Sequence, residues 1–180
     1  MTVSERTPTT TIQHEFSSDG ATATDWSEGR SQLASAEIYW LATIRPEGRP
    51  HVAPLMAILD AGTIFFVTGE SERKAKNLAQ NPHCIILTGT NLMTEGLDVV
   101  VEGDAVVETD DAVLHRIADA YVAKYGEDWR YVVHDGAFHH GEGSIREGEY
   151  TGKALVFRIA PQTAFGFGRG ASFSQTRWRF

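Results

Sequence analysis

Apolar residues recur along most of the chain, either at every second position or in short unbroken runs, and both patterns predict β-strands. His51 to Asp60 is apolar almost throughout, as in a strand that is buried on both faces. Gly103 interrupts another long run, which indicates a bulge or a barrel corner. The predicted strands span residues 39–45, 51–60, 63–68, 83–90, 98–109, 153–160 and 163–168. Short strands with bends at glycine are typical of a small barrel.

A period of three to four residues predicts helices between some of these strands. They span about residues 25–36, 72–81 and 110–125. In the second helix, Ala75, Leu78 and Ala79 form an apolar face. Ser71 can cap its start, and Pro82 ends it because the residue before a proline is pushed out of the helical region.

Two segments lack a clear period. Residues 1–24 are rich in Thr and Ser and predict a flexible tail, ordered only where it meets a partner subunit. A single domain then extends over residues 25–180. Residues 126–148 mix aromatic residues, His and Gly, and are long for a connection, which favours a functional loop or an unrecognised helix. We interpret this segment as a loop that lies over a ligand site, with Trp129 and Tyr131 as its packing residues.

The histidines of the same segment invite a metal site. His134, His139 and His140 lie close to Asp135 and Glu142 in the sequence, and these side chains are common metal ligands. Adjacent histidines rarely both reach one ion, and the spacing matches no zinc pattern. We therefore expect surface histidines and no metal.

Two cations, Arg73 and Lys74, open the second predicted helix. A helix start presents unpaired N–H groups and the positive end of the helix dipole, so acids would suit this position better than cations. The pair can be a solvated helix face or part of an anion site. Because it follows an apolar hairpin that could floor a ring system, we favour a phosphate-bearing ligand.

The stretch TIFFVTGESERKAKNLAQNPHCIIL resembles the flavin-phosphate segment of the pyridoxamine 5'-phosphate oxidase-like family. In that family an apolar strand, a strand ending in Thr and an Arg-Lys pair at the start of a helix hold FMN, and the helix closes with Asn-Pro. The resemblance extends over residues 34–180. It implies a mainly β fold, a split β-barrel with flanking helices. It also implies a homodimer with the cofactor site at the interface.

The resemblance further implies which residues contact FMN. Residues 52–57 would line the isoalloxazine ring, and Arg73 with Lys74 would bind the phosphate. The C-terminal segment commonly reaches the flavin site in this family, which adds Arg177 and Trp178. The implied cofactor-binding residues are Val52, Ala53, Pro54, Leu55, Met56, Ala57, Val67, Thr68, Arg73, Lys74, Arg177 and Trp178. The reaction would be hydride transfer with a small organic substrate, which the flavin itself carries out, so no catalytic residue is named.

The chain departs from the oxidase proper, which has an Arg at the position of Val52 and a C-terminal Arg-x-His element for the substrate phosphate. This chain has neither, so we do not expect pyridoxamine phosphate as its substrate. The deazaflavin coenzyme F-420 is an alternative cofactor because its tail also carries phosphate. A non-catalytic flavin carrier and a haem-binding module remain open, the latter with His51 or a loop histidine as axial ligand.

Composition narrows the partners and the location. A net charge of −8 over 180 residues argues against nucleic acid or an anionic membrane as the main partner. The sequence shows neither a signal peptide nor an apolar run that could span a bilayer. The single cysteine, Cys84, lies in an apolar strand and is expected to be a buried small hydrophobe. These features favour a cytoplasmic protein.

Overall fold

The computed structural model describes residues 6–140 and 153–180, and antiparallel strands dominate this part of the chain. The strands are β1 (Thr9–Ile12), β2 (Tyr39–Ile44), β3 (Pro50–Leu55), β4 (Ala57–Asp60), β5 (Thr63–Gly69), β6 (His83–Thr88), β7 (Gly96–Val107), β8 (Tyr131–His134), β9 (Ala137–His140), β10 (Ala154–Arg169) and β11 (Ser174–Arg179). The helices are α1 (Trp26–Ser35), α2 (Arg73–Leu78) and α3 (Asp111–Tyr125). Within these described ranges, no helix has both the length and the apolar character needed to cross a membrane.

The strands form one sheet whose hydrogen bonding remains open. Its main order is β1-β11-β10-β7-β6-β2-β3, while the β4–β5 pair and the β8–β9 hairpin attach separately to β10. β3 lies at one end of this order and continues through Met56 into β4. The chain itself, rather than a strand pairing among the described residues, therefore joins β3 to the β4–β5 pair. The predicted mainly β split barrel with flanking helices is confirmed.

The β5–β10 pair separates two apolar clusters. Ile64 and Phe66 of β5 pack in the larger cluster, whereas Phe65 points to the other side, as strand alternation requires. The smaller cluster lies under α3, which contributes Leu114, Ile117 and Tyr121. The predicted burial of Cys84 is confirmed, and burial raises the pKa of its thiol to about 12, so the thiol stays protonated.

Two of the helices begin at the caps that their sequences contain. The Asp25 carboxylate accepts a hydrogen bond from the Ser27 N–H at 2.7 Å, and Asp110 accepts from the Val113 N–H at 3.0 Å. The start of α2 differs from the prediction. Its N-cap is Glu72 rather than the predicted Ser71, without a side-chain capping bond, and the helix ends at Leu78, earlier than predicted.

The prediction of a flexible tail over residues 1–24 is wrong for the described part of that segment. β1 pairs with β11, where Thr10 lies opposite Trp178, and the next residues follow the same edge. The Gln13 N–H donates to Gln175 O at 2.8 Å, and the Ser18 N–H donates to Phe173 O at 2.9 Å. The partner strand is at the far end of the chain, so no local pattern could reveal this pairing. Residues 1–5 lie outside the described residues.

The prediction of one strand at 51–60, buried on both faces, is also wrong. β3 ends before Met56, lies at an edge of the sheet and alternates between exposed and half-buried positions. Val52 remains 55% exposed. Prolines are tolerated at such an edge because they lack the N–H that a central strand must donate, and Pro50 and Pro54 were the available sign of it.

The predicted break between the last two strands does not occur. β10 runs on through Pro161, and its register against β7 shifts between Pro161 and Thr163. The irregularity predicted at Gly103 therefore lies on the opposite strand. A Cβ at Gly103 would stand 2.8 Å from the Ala160 carbonyl oxygen, so the close approach of the two backbones requires glycine here.

Residues 126–140 form a short 3₁₀ helix, Glu127–Trp129, and the β8–β9 hairpin, rather than a long loop. Asp135 and Gly136 occupy its turn with φ values of 51° and 63°, which is the backbone that Asp-Gly favours in two-residue hairpins. The Asp135-Gly136 dipeptide is the feature of the sequence that indicates this hairpin. The remainder of the predicted loop, including Glu142, lies outside the described residues. Among those described, no three His, Cys, Asp or Glu side chains are grouped closely enough to hold a metal ion.

Candidate functional site

A cleft of about 240 Å³ opens where the ends of β3 and β5 meet α2, α3 and the β8–β9 hairpin. β5 contributes one wall through its last three residues, 67–69, which are still paired with β10. Helix α3 contributes Tyr121 to the lining. The cleft is lined by Leu55, Met56, Val67, Thr68, Gly69, Glu72, Lys74, Tyr121, Trp129, Tyr131 and Ala154.

One end of the cleft is polar and contains an ion pair. The Lys74 ammonium donates to the Glu72 carboxylate, which also accepts the Gly69 N–H at 3.0 Å. Burial raises the pKa of Glu72, but the bonds from Lys74 and Gly69 outweigh it and hold that pKa below its ordinary value. A cation and a backbone N–H therefore converge on one anionic group. A phosphate would offer the same donors a stronger acceptor.

Helix α2 is held in place by a buried amide. The Asn77 side chain donates to Thr43 Oγ1 of β2 at 2.9 Å, and both residues are fully buried. This bond fixes the six-residue helix against the sheet and directs Lys74, whose side chain is only 12% exposed, toward the cleft. Arg73 precedes it and is exposed to solvent.

The other end of the cleft is apolar and aromatic. Tyr121 is fully buried, and its hydroxyl donates to the Met56 carbonyl oxygen at 3.1 Å, which ties α3 to the link between β3 and β4. The Tyr131 ring packs edge-on against Tyr121, with ring centroids 5.5 Å apart. Trp129 and Tyr131 both line the cleft, as the sequence interpretation of this segment requires.

A second basic region adjoins the polar end. His51 on β3 is half-buried, and within the described structure its Nδ1 atom is buried without a hydrogen-bond partner. Burial, followed by the charges of Arg45, Lys74 and Arg73, lowers the pKa of this imidazole. The imidazole is therefore neutral near pH 7 and faces cations from two different elements.

The structure brings together several of the residues implied by the sequence. Leu55, Met56, Val67, Thr68 and Lys74 line the cleft, and Arg73 lies next to it. Ala53 lies just upstream on β3 and is half-buried. Ala57 is buried at the start of β4, where its N–H bonds to the Tyr125 hydroxyl at 3.1 Å. Val52 and Pro54 lie on the opposite, exposed face of β3.

Trp178 is placed in the core, away from the cleft. Its ring is fully buried, contacts Trp26 at a centroid distance of 5.2 Å, and donates from Nε1 to the Thr24 carbonyl oxygen at 3.2 Å. Because the side chain is fully buried, neither face of the ring is accessible to a ligand bound by the same chain. Arg177 is on the other side of β11, opposite Phe165, and is not among the lining residues of the cleft.

Four residues line the cleft but are not among the site residues that the sequence predicts: Gly69, Glu72, Tyr121 and Ala154. Tyr121 lies on the apolar stripe of α3 with Leu114 and Ile117, and nothing in that stripe distinguishes a tyrosine that reaches a cleft from one inside the core. Glu72 adjoins the Arg-Lys pair in sequence, which was the one available sign.

Comparisons with known proteins agree with this architecture. The family model for pyridoxamine 5'-phosphate oxidase matches residues 26–166. No curated protein matches the sequence significantly.

Solved structures of similar fold come from several bacteria. The conserved hypothetical protein Rv2991 of Mycobacterium tuberculosis superposes with a TM-score of 0.62 at 21% identity, covering 81% of this chain and 85% of that one. A FAD-binding protein of Mesorhizobium loti superposes with a TM-score of 0.57 at 14% identity, covering 96% of this chain and 99% of that one. A heme binding protein of Mycobacterium smegmatis gives 0.57 at 20% identity, with 86% and 59% coverage. Because the family model spans most of the sequence, the chain belongs to the pyridoxamine 5'-phosphate oxidase-like family of split β-barrel proteins.

Proposed function

We propose that this protein is an FMN-dependent oxidoreductase that transfers hydride to or from a small organic substrate. The observation that carries the proposal is the cleft itself, which joins a polar end, with the Lys74 ammonium and the Thr68 hydroxyl, to an apolar and aromatic end in a member of this family. FMN has the same division between a phosphate and a planar ring. The FAD-binding neighbour supports a flavin in a chain of this fold.

In this proposal each end of the cleft has a separate task. Lys74 and Arg73 bind the phosphate, with the Thr68 hydroxyl beside them, and Glu72 releases Lys74 as the phosphate arrives. Leu55, Met56 and Val67 provide the apolar contacts for the ring. Bound flavin supplies the hydride-transfer chemistry.

Trp129 and Tyr131 cover the aromatic end and exclude water from it. The phenol of Tyr121 is committed to the Met56 carbonyl oxygen, and burial raises the pKa of this tyrosine well above its ordinary value. The Tyr121 hydroxyl therefore stays protonated near neutral pH. Its role is to donate the hydrogen bond that positions the bend after β3.

The proposal includes a homodimer that completes the site. The cleft in one chain measures about 240 Å³, which is small for FMN, since ligand pockets usually measure about 300–1,000 Å³. The outer face of the sheet carries a continuous row of cross-strand neighbours suited to a partner. We call it the outer row, and it consists of Pro54, Trp40, Leu87, Val100, Phe165, Arg177 and Thr11.

Trp40 is 47% exposed on this row, and Val52 is beside it at 55%. Large apolar side chains exposed together mark an interaction surface. Arg177 is on the same row, so in a dimer it would reach the partner's site rather than its own. This retains the family's role for Arg177 while Trp178 stays a core residue.

The visible absorption spectrum of the purified protein, with mass analysis of any compound released by heat, tests the cofactor. A two-banded yellow spectrum and the mass of FMN are expected. A single deazaflavin band would indicate coenzyme F-420 instead of FMN and would leave the oxidoreductase assignment unchanged. A Soret band would contradict the flavin assignment and favour a haem module like the neighbour from M. smegmatis. The predicted cytoplasmic location remains part of the proposal, and cell fractionation tests it.

A further inference from the structure

His51 stands where two strands and a helix meet beside the proposed phosphate site. In the β2–β3 ladder it is the partner of Thr43, whose hydroxyl accepts the Asn77 amide of α2 at 2.9 Å. The imidazole is thereby held next to the helix that carries Arg73 and Lys74. Its Nδ1 atom is buried without a partner in the described structure, and a buried polar atom in this condition calls for an explanation.

The charges that act on His51 come from two elements and are all positive. Arg45 lies at the end of β2, and Arg73 and Lys74 lie on α2. The acids of this region are engaged with the same cations. Glu72 accepts from Lys74, and the Glu47 carboxylate is 3.9 Å from Arg45 Nη1. The region therefore has more basic than acidic groups, although the whole chain carries −8.

A phosphate dianion bound by Arg73 and Lys74 would reverse the sign of the charge near the imidazole. The protonated form, disfavoured by burial and then by three cations in the free protein, would gain an anion close by. We propose that His51 is a third basic group of the phosphate site and takes up a proton from solvent when a phosphate-bearing cofactor binds. This inference rests on the proposed FMN site and adds to it a coupling between cofactor retention and pH.

Isothermal titration of FMN at pH 7.5, in two buffers of different ionisation enthalpy, measures the protons taken up on binding. At this pH the FMN phosphate is already dianionic and contributes little itself. We expect uptake on the order of half a proton per FMN for the wild type and almost none for His51→Gln. Riboflavin, which lacks the phosphate, is the matched ligand and should bind without proton uptake.

Linkage requires the affinity to follow the same pattern. The wild type should bind FMN about tenfold more tightly than His51→Gln at pH 6, and the two should converge by pH 9. A second variant, Arg45→Gln, leaves the imidazole in place but removes one of its cations. It should raise the pH at which the assigned His51 NMR resonance titrates in the free protein, and an unchanged titration would contradict the action of Arg45 on this imidazole.

FMN binding without proton uptake, or with equal uptake in wild type and His51→Gln, would overturn the inference while leaving the FMN site intact. Failure of the wild type to bind FMN at any pH would instead overturn the proposed function and this inference with it. Thermal unfolding of each variant at the same concentration checks that the fold is retained.

Discussion

Two tryptophans should respond to the same truncation in opposite ways. Trp178 is fully buried against Trp26 and bonded to the Thr24 carbonyl oxygen, and it joins the N-terminal segment to the sheet. Truncation of a buried tryptophan to alanine costs about 3–5 kcal/mol of unfolding free energy. For a chain of this length each kcal/mol corresponds to roughly 2–4 °C, so Trp178→Ala should lower Tm by about 6–20 °C.

Trp129 is the matched control because it lines the cleft and is only half-buried. Trp129→Ala leaves the core intact and should change Tm little. It removes an aromatic wall from the proposed flavin site, and such ring contacts contribute about 0.5–1.5 kcal/mol. FMN affinity should therefore fall about two- to twelvefold.

The assay is thermal unfolding of each variant without ligand, together with flavin fluorescence titration at a temperature where both are folded. If Trp178→Ala proves too unstable, Trp178→Phe removes the indole N–H bond but keeps an aromatic ring and most of the side-chain volume. A Trp178 variant with wild-type Tm and weakened FMN binding would refute the core assignment and restore the ligand role suggested by the family resemblance. A large loss of Tm in Trp129→Ala would refute its assignment to the cleft.

Further predictions concern assembly, pH and backbone packing. Val52→Glu should convert the dimer to monomer in light scattering, whereas Val132→Glu, on an equally exposed valine of β8, should not; a dimer in both would contradict the outer face as the interface. Burial lowers the pKa of Lys124 to about 8, so between pH 8 and 10 the native state releases a proton that the unfolded chain retains, and unfolding free energy should rise with pH. Lys124→Met should flatten that rise in denaturant titrations, and an unchanged slope would exclude Lys124 as its source. Gly103→Ala should cost about 1–3 kcal/mol because its Cβ would stand 2.8 Å from the Ala160 carbonyl oxygen, and a neutral result would show that β10 can shift there.

Elements with strong local signals could be predicted from the sequence. Helix α3 has an acidic cap at Asp110 and an apolar stripe, and both act within a few residues of chain. The β4–β5 hairpin turns at Ala61 and Gly62, which have the positive φ values that such a connection requires. The prediction of a single strand over residues 51–60 is wrong because an apolar run does not reveal whether both of its faces are covered by the core.

Pairings between distant segments could not be predicted. β1 has four residues, three of them threonine, and it pairs with β11 at the other end of the chain. The residues of the candidate site divide in the same way, into those close together in the sequence and those brought in by packing. Leu55, Met56, Thr68 and Lys74 were found because they belong to one continuous stretch, whereas Tyr121 reaches the cleft only through the packing of α3.

The central claim is that the cations of α2 hold the phosphate of a flavin. FMN titration of the ligand-free protein, followed by flavin fluorescence, tests it most directly when the double variant Arg73→Ala/Lys74→Ala is compared with Lys76→Ala. Lys76 is on the same helix, is exposed, and does not line the cleft. We expect wild type and Lys76→Ala to bind FMN alike, and the double variant to lose at least two orders of magnitude in affinity, since two charge-assisted bonds are removed. Equal FMN affinity in all three proteins would contradict the account.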